Sequence, residues 1–322
     1  MRAHRLAAAL CTVALVLTAC GSSDPVSHLA TSPWSSRLPT TLAVPSAPAP
    51  PPRPSKPAIV RTLPRGGQTI IGHYRVVAYY GEAGNPQLGV LGTASPDQIA
   101  RSVTARARGF ARYGLPVQPA MELIATVAQG SPQTDGSYSR AIPLATVRRY
   151  LAVAHRYRML LLLDLQPGRS TFLRQARALG RVLLDPSVGL GLDPEWKVTR
   201  RQRPGGGRIG SSGPGDINAT IAYVSSLVSR HRLPHKLLVV HEFTPSMLPH
   251  RSSITRHPGV DLTFHADGFG GVATKINVFR GLHFPGYPFG VGIKLFLKQD
   301  ARLMTPAEVM RLTPRPDVIT YQ

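Results

Sequence analysis

Seven of the sixteen acidic residues stand at the ends of short apolar runs. Glu82 follows RVVAYYG, Glu122 lies inside PAMELIATV, and Asp164 closes MLLLLDLQ. Asp193 and Glu195 close VGLGLDPEW, Glu242 follows KLLVVH, and Asp267 ends DLTFHADG. The chain carries a formal net charge of +22, so carboxylates are scarce and their placement is informative. Carboxylates at the C-terminal ends of parallel strands converge on one mouth, where a (β/α) barrel builds its active site. Two neighbouring carboxyls repel, so one keeps its proton. The pair then offers a proton donor beside a charged partner, the equipment of hydrolytic acid/base chemistry.

The densest cluster is Asp193-Pro-Glu195-Trp196. If the segment is extended, residues two apart point to one side, and both carboxylates face the mouth. Trp196 then supplies an apolar wall or a platform for a sugar ring, and glycoside hydrolysis needs such a carboxyl pair. The alternative is a strand end whose acids cap a helix or pair with Lys197 and Arg200. Glu122 and Asp164 are the further catalytic candidates, as nucleophile, base or ligand of a substrate hydroxyl. A buried salt bridge to an arginine would account for either of them equally well. Glu82, Tyr80, Trp196, His241, Glu242, Asp267 and Lys294 are the candidates for holding substrate at the same mouth. Tyr79, Phe243 and Phe269 are further aromatics for a carbohydrate groove, or for packing.

Eight elements must position these residues. The apolar runs Arg75–Tyr80, Val117–Leu123, Met159–Leu165, Val188–Asp193, Lys236–His241, Asp261–Ala266, Val291–Leu297 and Asp317–Tyr321 read as strands. Several are continuously apolar, as in strands buried on both faces. Helices are expected over residues 95–112, Leu144–Tyr157, Ser170–Leu184, Asp216–Arg232 and Thr305–Leu312. Ser95-Pro96 and Thr305-Pro306 have the form of an N-cap followed by proline, with Glu308 in the capping-box position. Alternating strands and helices over residues 74–322, about 250 residues, predict a (β/α)8 TIM-type barrel lacking a final helix. No glycine-rich phosphate fingerprint follows the first strand, so no nucleotide cofactor is expected.

With a YY-type first strand, Gly189, Leu190, Leu192, Asp193 and Glu195 resemble a strand of the chitinase-type glycosidases, which are (β/α)8 barrels. The resemblance implies Glu195 as general acid and Asp193 as the residue that orients a substrate acetamido group. Val188 and Gly191 stand where that family has acids, and its Ser-x-Gly-Gly and Met-x-Tyr-Asp segments are absent. Over its whole length the domain is similar to a group of actinobacterial lipoproteins with glycosidase-like barrels, a resemblance that implies fold and location but no activity.

His241-Glu242 and His265-Ala-Asp267 place imidazoles at two adjacent strand ends, so a metal-dependent hydrolase or phosphodiesterase is an alternative. No HxH or HExxH spacing occurs, and no metal is assigned. There is no Gly-x-Ser-x-Gly elbow for a serine nucleophile either.

Met1 to Arg5 form a basic start, and Leu6 to Leu17 an apolar stretch too short to span a membrane. Leu17-Thr18-Ala19-Cys20, followed by Gly21-Ser22-Ser23, resembles the bacterial lipobox. That resemblance implies cleavage after residue 19 and lipidation of Cys20, which anchors the chain to the outer face of the cytoplasmic membrane. Cys11 would be removed with the leader, so disulfides and cysteine–metal sites are excluded. The expected organisation is a signal peptide at 1–19, a lipidated, Pro/Ser-rich tether at 20–73, and the barrel at 74–322. A single non-catalytic barrel that binds glycan or supports envelope assembly is the competing function.

Of the 38 Lys and Arg, 31 fall in residues 74–322 against 15 acids. Many sit on helices that a barrel turns outward, including Arg101, Arg148 and Arg149, which argues against a nucleic-acid groove. For an exported chain the neighbouring anions are lipid headgroups and envelope polymers. The loop from Lys197 to Arg208 flanks the acid cluster and is placed to meet an anionic glycan, or is simply solvated. A monomer is expected.

Overall fold

The structure, a computed structural model, describes residues 61–283 and 288–322. Cys20, the leader and the proline-rich stretch up to residue 60 lie outside the described residues. Nine strands form one sheet: β1 (Arg75–Gly81), β2 (Val117–Ala128), β3 (Ser139–Ala141), β4 (Leu160–Leu165), β5 (Val188–Leu192), β6 (Lys236–Glu242), β7 (Val260–Ala266), β8 (Gly290–Leu295) and β9 (Val318–Tyr321). All but β3 are parallel. Because β1 pairs with both β2 and β9, the eight parallel strands close into the expected TIM-type barrel. β3 is an antiparallel addition to the far end of β2, which runs past its expected end at Leu123.

The helices are α1 (Pro96–Arg108), α2 (Leu144–Tyr157), α3 (Phe172–Ala178), α4 (Pro214–His231), α5 (Val272–Leu282) and α6 (Pro306–Val309). α1 and α6 both begin with a complete capping box, Ser95 with Gln98 and Thr305 with Glu308. The helix expected over Ser170–Leu184 is interrupted: α3 ends at Ala178, and a single 3-10 turn follows at Val182–Leu184. Between β6 and β7 two 3-10 turns replace a helix. No helix of the described residues is long and apolar enough to cross a membrane.

Side chains that alternate along each strand divide the core in two. One set faces the surrounding helices, where Val77, Leu161, Leu163, Leu238 and Ile319 join a large cluster with Phe110, Phe172 and Phe279. The other set fills the lower barrel with Val76, Ala78, Ala120, Leu160, Leu162, Leu237, Val239 and Val318. Leu63 and Ile70, from the segment before β1, are buried in that inner cluster and close its floor. Asp261 fixes them there, accepting the amides of Ile70 at 2.6 Å and Ile71 at 3.3 Å. The packed region therefore includes residues that composition had placed in the tether.

Candidate active site

The inward positions that are apolar at the bottom of the barrel become polar one step higher. On β1 the series Val76, Ala78 ends in Tyr80, and on β2 Ala120 is followed by Glu122. Leu160 and Leu162 of β4 lead to Asp164, Leu237 and Val239 of β6 to His241, and Val318 of β9 to Thr320. Glu122, Asp164, His241 and Thr320 have no exposed surface. Each finds its partner across the barrel. His241 Nε2 donates to Glu122 Oε1 at 2.9 Å, and Thr320 donates to Glu122 Oε2 at 3.2 Å. Tyr80 donates to Asp164 Oδ2 at 2.9 Å.

Glycine makes room for this layer. A Cβ on Gly191 of β5 would stand 2.8 Å from Asp164 Oδ1 and 3.0 Å from Glu122 Oε1, and one on Gly292 of β8 would strike the His265 ring at 2.3 Å.

Above the layer opens a cavity of about 430 Å³ at the C-terminal ends of the strands. Tyr80, Asp193, Glu195, Trp196, Asp267 and Lys294 line it, with Phe243, Phe269 and Phe296 as further walls. Phe269, 64 % exposed, stands at the rim.

Asp193 and Glu195 reach the cavity by a route other than the extended one expected. β5 ends at Leu192, and Pro194–Trp196 form a 3-10 turn, with the Lys197 amide bonded to the Pro194 carbonyl at 3.0 Å. Proline at 194 starts that turn and ends the strand's alternation. Both carboxyls still face the mouth.

The electrostatics follow from counting charges. Five carboxyls (Glu122, Asp164, Asp193, Glu195, Asp267) crowd around two cations, Lys294 and His241. Asp267 takes both: Lys294 Nζ donates to its Oδ2 at 2.8 Å, and His241 Nδ1 lies 3.3 Å from the same oxygen, close enough to pair but off the hydrogen-bond axis. Burial alone would raise Asp267, but Lys294 and His241 outweigh it and hold the carboxyl far below its usual range. Asp267 in turn holds Lys294 charged despite its burial. Burial and Lys294 oppose a charge on His241, yet Glu122 and Asp267 on its two nitrogens keep it protonated well above the ordinary imidazole range.

Three of the other acids are pushed toward their protonated forms. Burial, then repulsion from Asp267, pushes Glu195 up to about 7. Burial, then repulsion from Glu195 and Asp164, drives Asp193 well above the carboxylate range. Burial raises Asp164 to about 6 although His241 lies nearby. One cavity therefore holds a carboxyl poised to give a proton and another fixed as an anion.

Among the residues expected at the mouth, Tyr80, Asp193, Glu195, Trp196, Asp267 and Lys294 meet there. Glu122, Asp164 and His241 form the closed layer beneath. Glu82 and Glu242 do not line the cavity, because each is paired with an arginine: Arg140 at 2.7 Å and Arg251 at 3.1 Å. Tyr79 points to the helical side, where its hydroxyl meets Ser102 and Arg106 of α1. Gln166, Gln299 and Gln322 also line the cavity and were not anticipated. Gln166 stands two residues after Asp164, and the period of two that places Asp164 inward also marks Gln166.

Glu122, Asp164 and His241 each bring one ligand atom within 4.8 Å of the others, a set able to hold a divalent cation. Asp164 Oδ1 in that set accepts no hydrogen bond.

Neither a family model nor a curated protein matches the chain. Among solved structures it is similar to the cellulose synthase subunit Z of Clostridioides difficile, at 7% identity and a TM-score of 0.41, over 77% of this chain and 91% of that one. It is similar also to the dihydropteroate synthase of Xanthomonas albilineans, at 14% identity and a TM-score of 0.32, over 78% of this chain and 88% of that one. Likeness at this level carries no argument about activity.

Proposed function

We propose that this chain is a lipid-anchored, extracytoplasmic glycoside hydrolase acting on a glycan of the cell envelope. The observation that carries the proposal is one cavity lined by two carboxyls in opposite environments, Glu195 raised to about 7 by burial and Asp267 paired with Lys294 at 2.8 Å and held low. Environments that push two carboxyls apart in this way assign the acid and its charged partner. Glu195 gives its proton to the glycosidic oxygen as the bond to the anomeric carbon breaks. Asp267 is too weak a base to take a proton from water easily. Its charge suits stabilisation of the oxocarbenium-like centre, or direct attack on it, and one water completes the hydrolysis. Asp193, protonated and buried at the same turn, donates a hydrogen bond to the sugar. Trp196, Phe243 and Phe269 offer apolar faces to the ring.

Anchoring rests on the leader and on Cys20, which place the barrel on the outer face of the cytoplasmic membrane. The test is turnover of isolated envelope glycan and chromogenic glycosides by the wild type, Glu195→Gln and Asp267→Asn. Turnover that falls at least 100-fold in both variants supports the proposal. A wild type that binds glycan without hydrolysing it makes the protein a binding module instead.

A second reading rests on the donor set Glu122, Asp164 and His241. A divalent cation there would replace the proton that His241 shares with Glu122, and the chain would be a metal-dependent hydrolase. Activity abolished by a chelator and restored by metal would select it.

A further inference from the structure

The cavity is not the end of the concave surface. Trp196 lines it and also lines a second hollow together with Ala128, Gly130, Arg203 and Gly205. Arg203 in turn lines a third hollow, of about 350 Å³, with Tyr138, Arg169, Arg201, Gln202 and Arg208. Trp196 is thus a wall common to the cavity and the second hollow, and Arg203 a wall common to the second and third, so the three hollows adjoin. Among the described residues no carboxylate lines that third hollow, and none of the four arginines belongs to an ion pair. A concave site with four guanidinium groups and no carboxylate in its lining suits an anion.

Arg169 is also positioned, while Arg201, Arg203 and Arg208 are exposed on the loop beside it. Arg169 lies 4.0 Å over the Tyr138 ring and donates twice to the Gln202 carbonyl, at 3.1 and 2.8 Å. The loop that carries Arg201, Arg203 and Arg208 is tied at both ends. The Val198 amide bonds to the Gly168 carbonyl at 2.9 Å, and the Gly210 amide bonds to the carbonyl of Glu195 itself at 2.7 Å. A Cβ on Gly210 would come within 2.4 Å of the Glu195 carbonyl oxygen, so only glycine permits that closure. The arginine loop and the proton donor therefore share one backbone framework.

We infer that the adjoining hollows from Trp196 to the arginine cluster form a subsite for a negatively charged glycan, so that the substrate class is an acidic polysaccharide and not a neutral one. This deepens the hydrolase reading, since it assigns the polymer that would lie across Glu195. The charged group recognised is a carboxylate or a phosphodiester on the sugar chain, and both engage guanidinium forks in the same way.

The experiment measures equilibrium binding of the full-length protein in detergent to matched polymers. Polygalacturonate is set against its methyl ester, and phosphomannan against its dephosphorylated form. The arm with the larger charge preference identifies the group. The proteins are the wild type, Arg201→Ala/Arg203→Ala/Arg208→Ala, and a control of equal charge, Arg108→Ala/Arg148→Ala/Arg149→Ala on the outer faces of α1 and α2. The wild type and the control should bind one charged polymer at least about tenfold tighter than its neutral partner. The loop variant should lose that preference and show a flatter dependence on salt. Equal losses in loop variant and control would mean that net charge alone attracts the polymer, and would overturn the subsite. So would equal binding of charged and neutral polymers by the wild type. The measurement needs no turnover, so a protein without hydrolytic activity can still show the subsite. Conversely, a protein without the subsite can still hydrolyse small neutral glycosides.

Discussion

Lys294 Nζ stands 2.8 Å from Asp267 Oδ2, across the neighbouring ends of β8 and β7, with both side chains nearly enclosed. Of the two cations at the mouth, this ammonium is the one that most lowers the carboxyl, and its removal leaves only the off-axis contact with His241. Lys294→Met should therefore cost about 3–5 kcal/mol, the usual penalty for orphaning a buried partner. The sign with pH is fixed by the lowered carboxyl. A folded-state pKa below the unfolded one contributes stability above roughly pH 4 and loses it as the pH falls. Denaturant melts of the wild type should show that acid-side loss, and melts of the variant should show less of it. A variant as stable as the wild type at pH 7 would contradict the pairing.

Glu195 has the opposite linkage. Its pKa rises from 4.5 to about 7 on folding, so the native state holds a proton there that the unfolded chain has released. Stability should fall as the pH rises from about 4.5 to about 7, by on the order of 3 kcal/mol for this group. Glu195→Gln should flatten the profile in that window and be the more stable protein at pH 8. A profile unchanged by the substitution would show that the carboxyl is ordinary.

Gly191→Ala tests the packing of the polar layer. The new methyl must displace Asp164 or Glu122, both held by hydrogen bonds to Tyr80, His241 and Thr320. A loss of about 1–3 kcal/mol is expected from such overpacking. No loss in thermal or denaturant unfolding would mean that the layer is looser than described.

The eight parallel strands were legible as apolar runs, and Glu122 and Asp164 reported the inward sides of β2 and β4. The closure of the barrel could be inferred from their number. The roles of the acids were less legible. Glu82 and Glu242 occupy strand ends like the rest, but Arg140 and Arg251, which neutralise them, come from β3 and from a short turn after β6, and neither element has a periodic signal. The distinction between Asp267 and Glu195 depends on Lys294 and His241, which lie on other strands, and on distances that spacing along the chain does not contain. α5 was missed because its apolar positions are interrupted by Lys275, which turns inward to Asp300 at 3.2 Å. Glycine weakens a strand interior. Gly191 is there because two carboxyls occupy the space of its side chain.

Cys20 lies outside the described residues and is tested separately. Cys20→Ser should abolish incorporation of labelled fatty acid, which the wild type takes up while it fractionates with membranes. Wild-type and variant proteins found equally in the soluble fraction would refute the anchor.

The most direct test of the account is a carbon-13 carboxyl titration of the full-length protein, labelled in Asp and Glu and assigned with Glu195→Gln and Asp267→Asn. One resonance, lost in Glu195→Gln, should titrate near pH 7, and another, lost in Asp267→Asn, should stay ionised to the acid limit of the folded state. If both titrate together in the usual carboxylate range near pH 4, the cavity has no separate acid and anion, and the proposed chemistry is wrong.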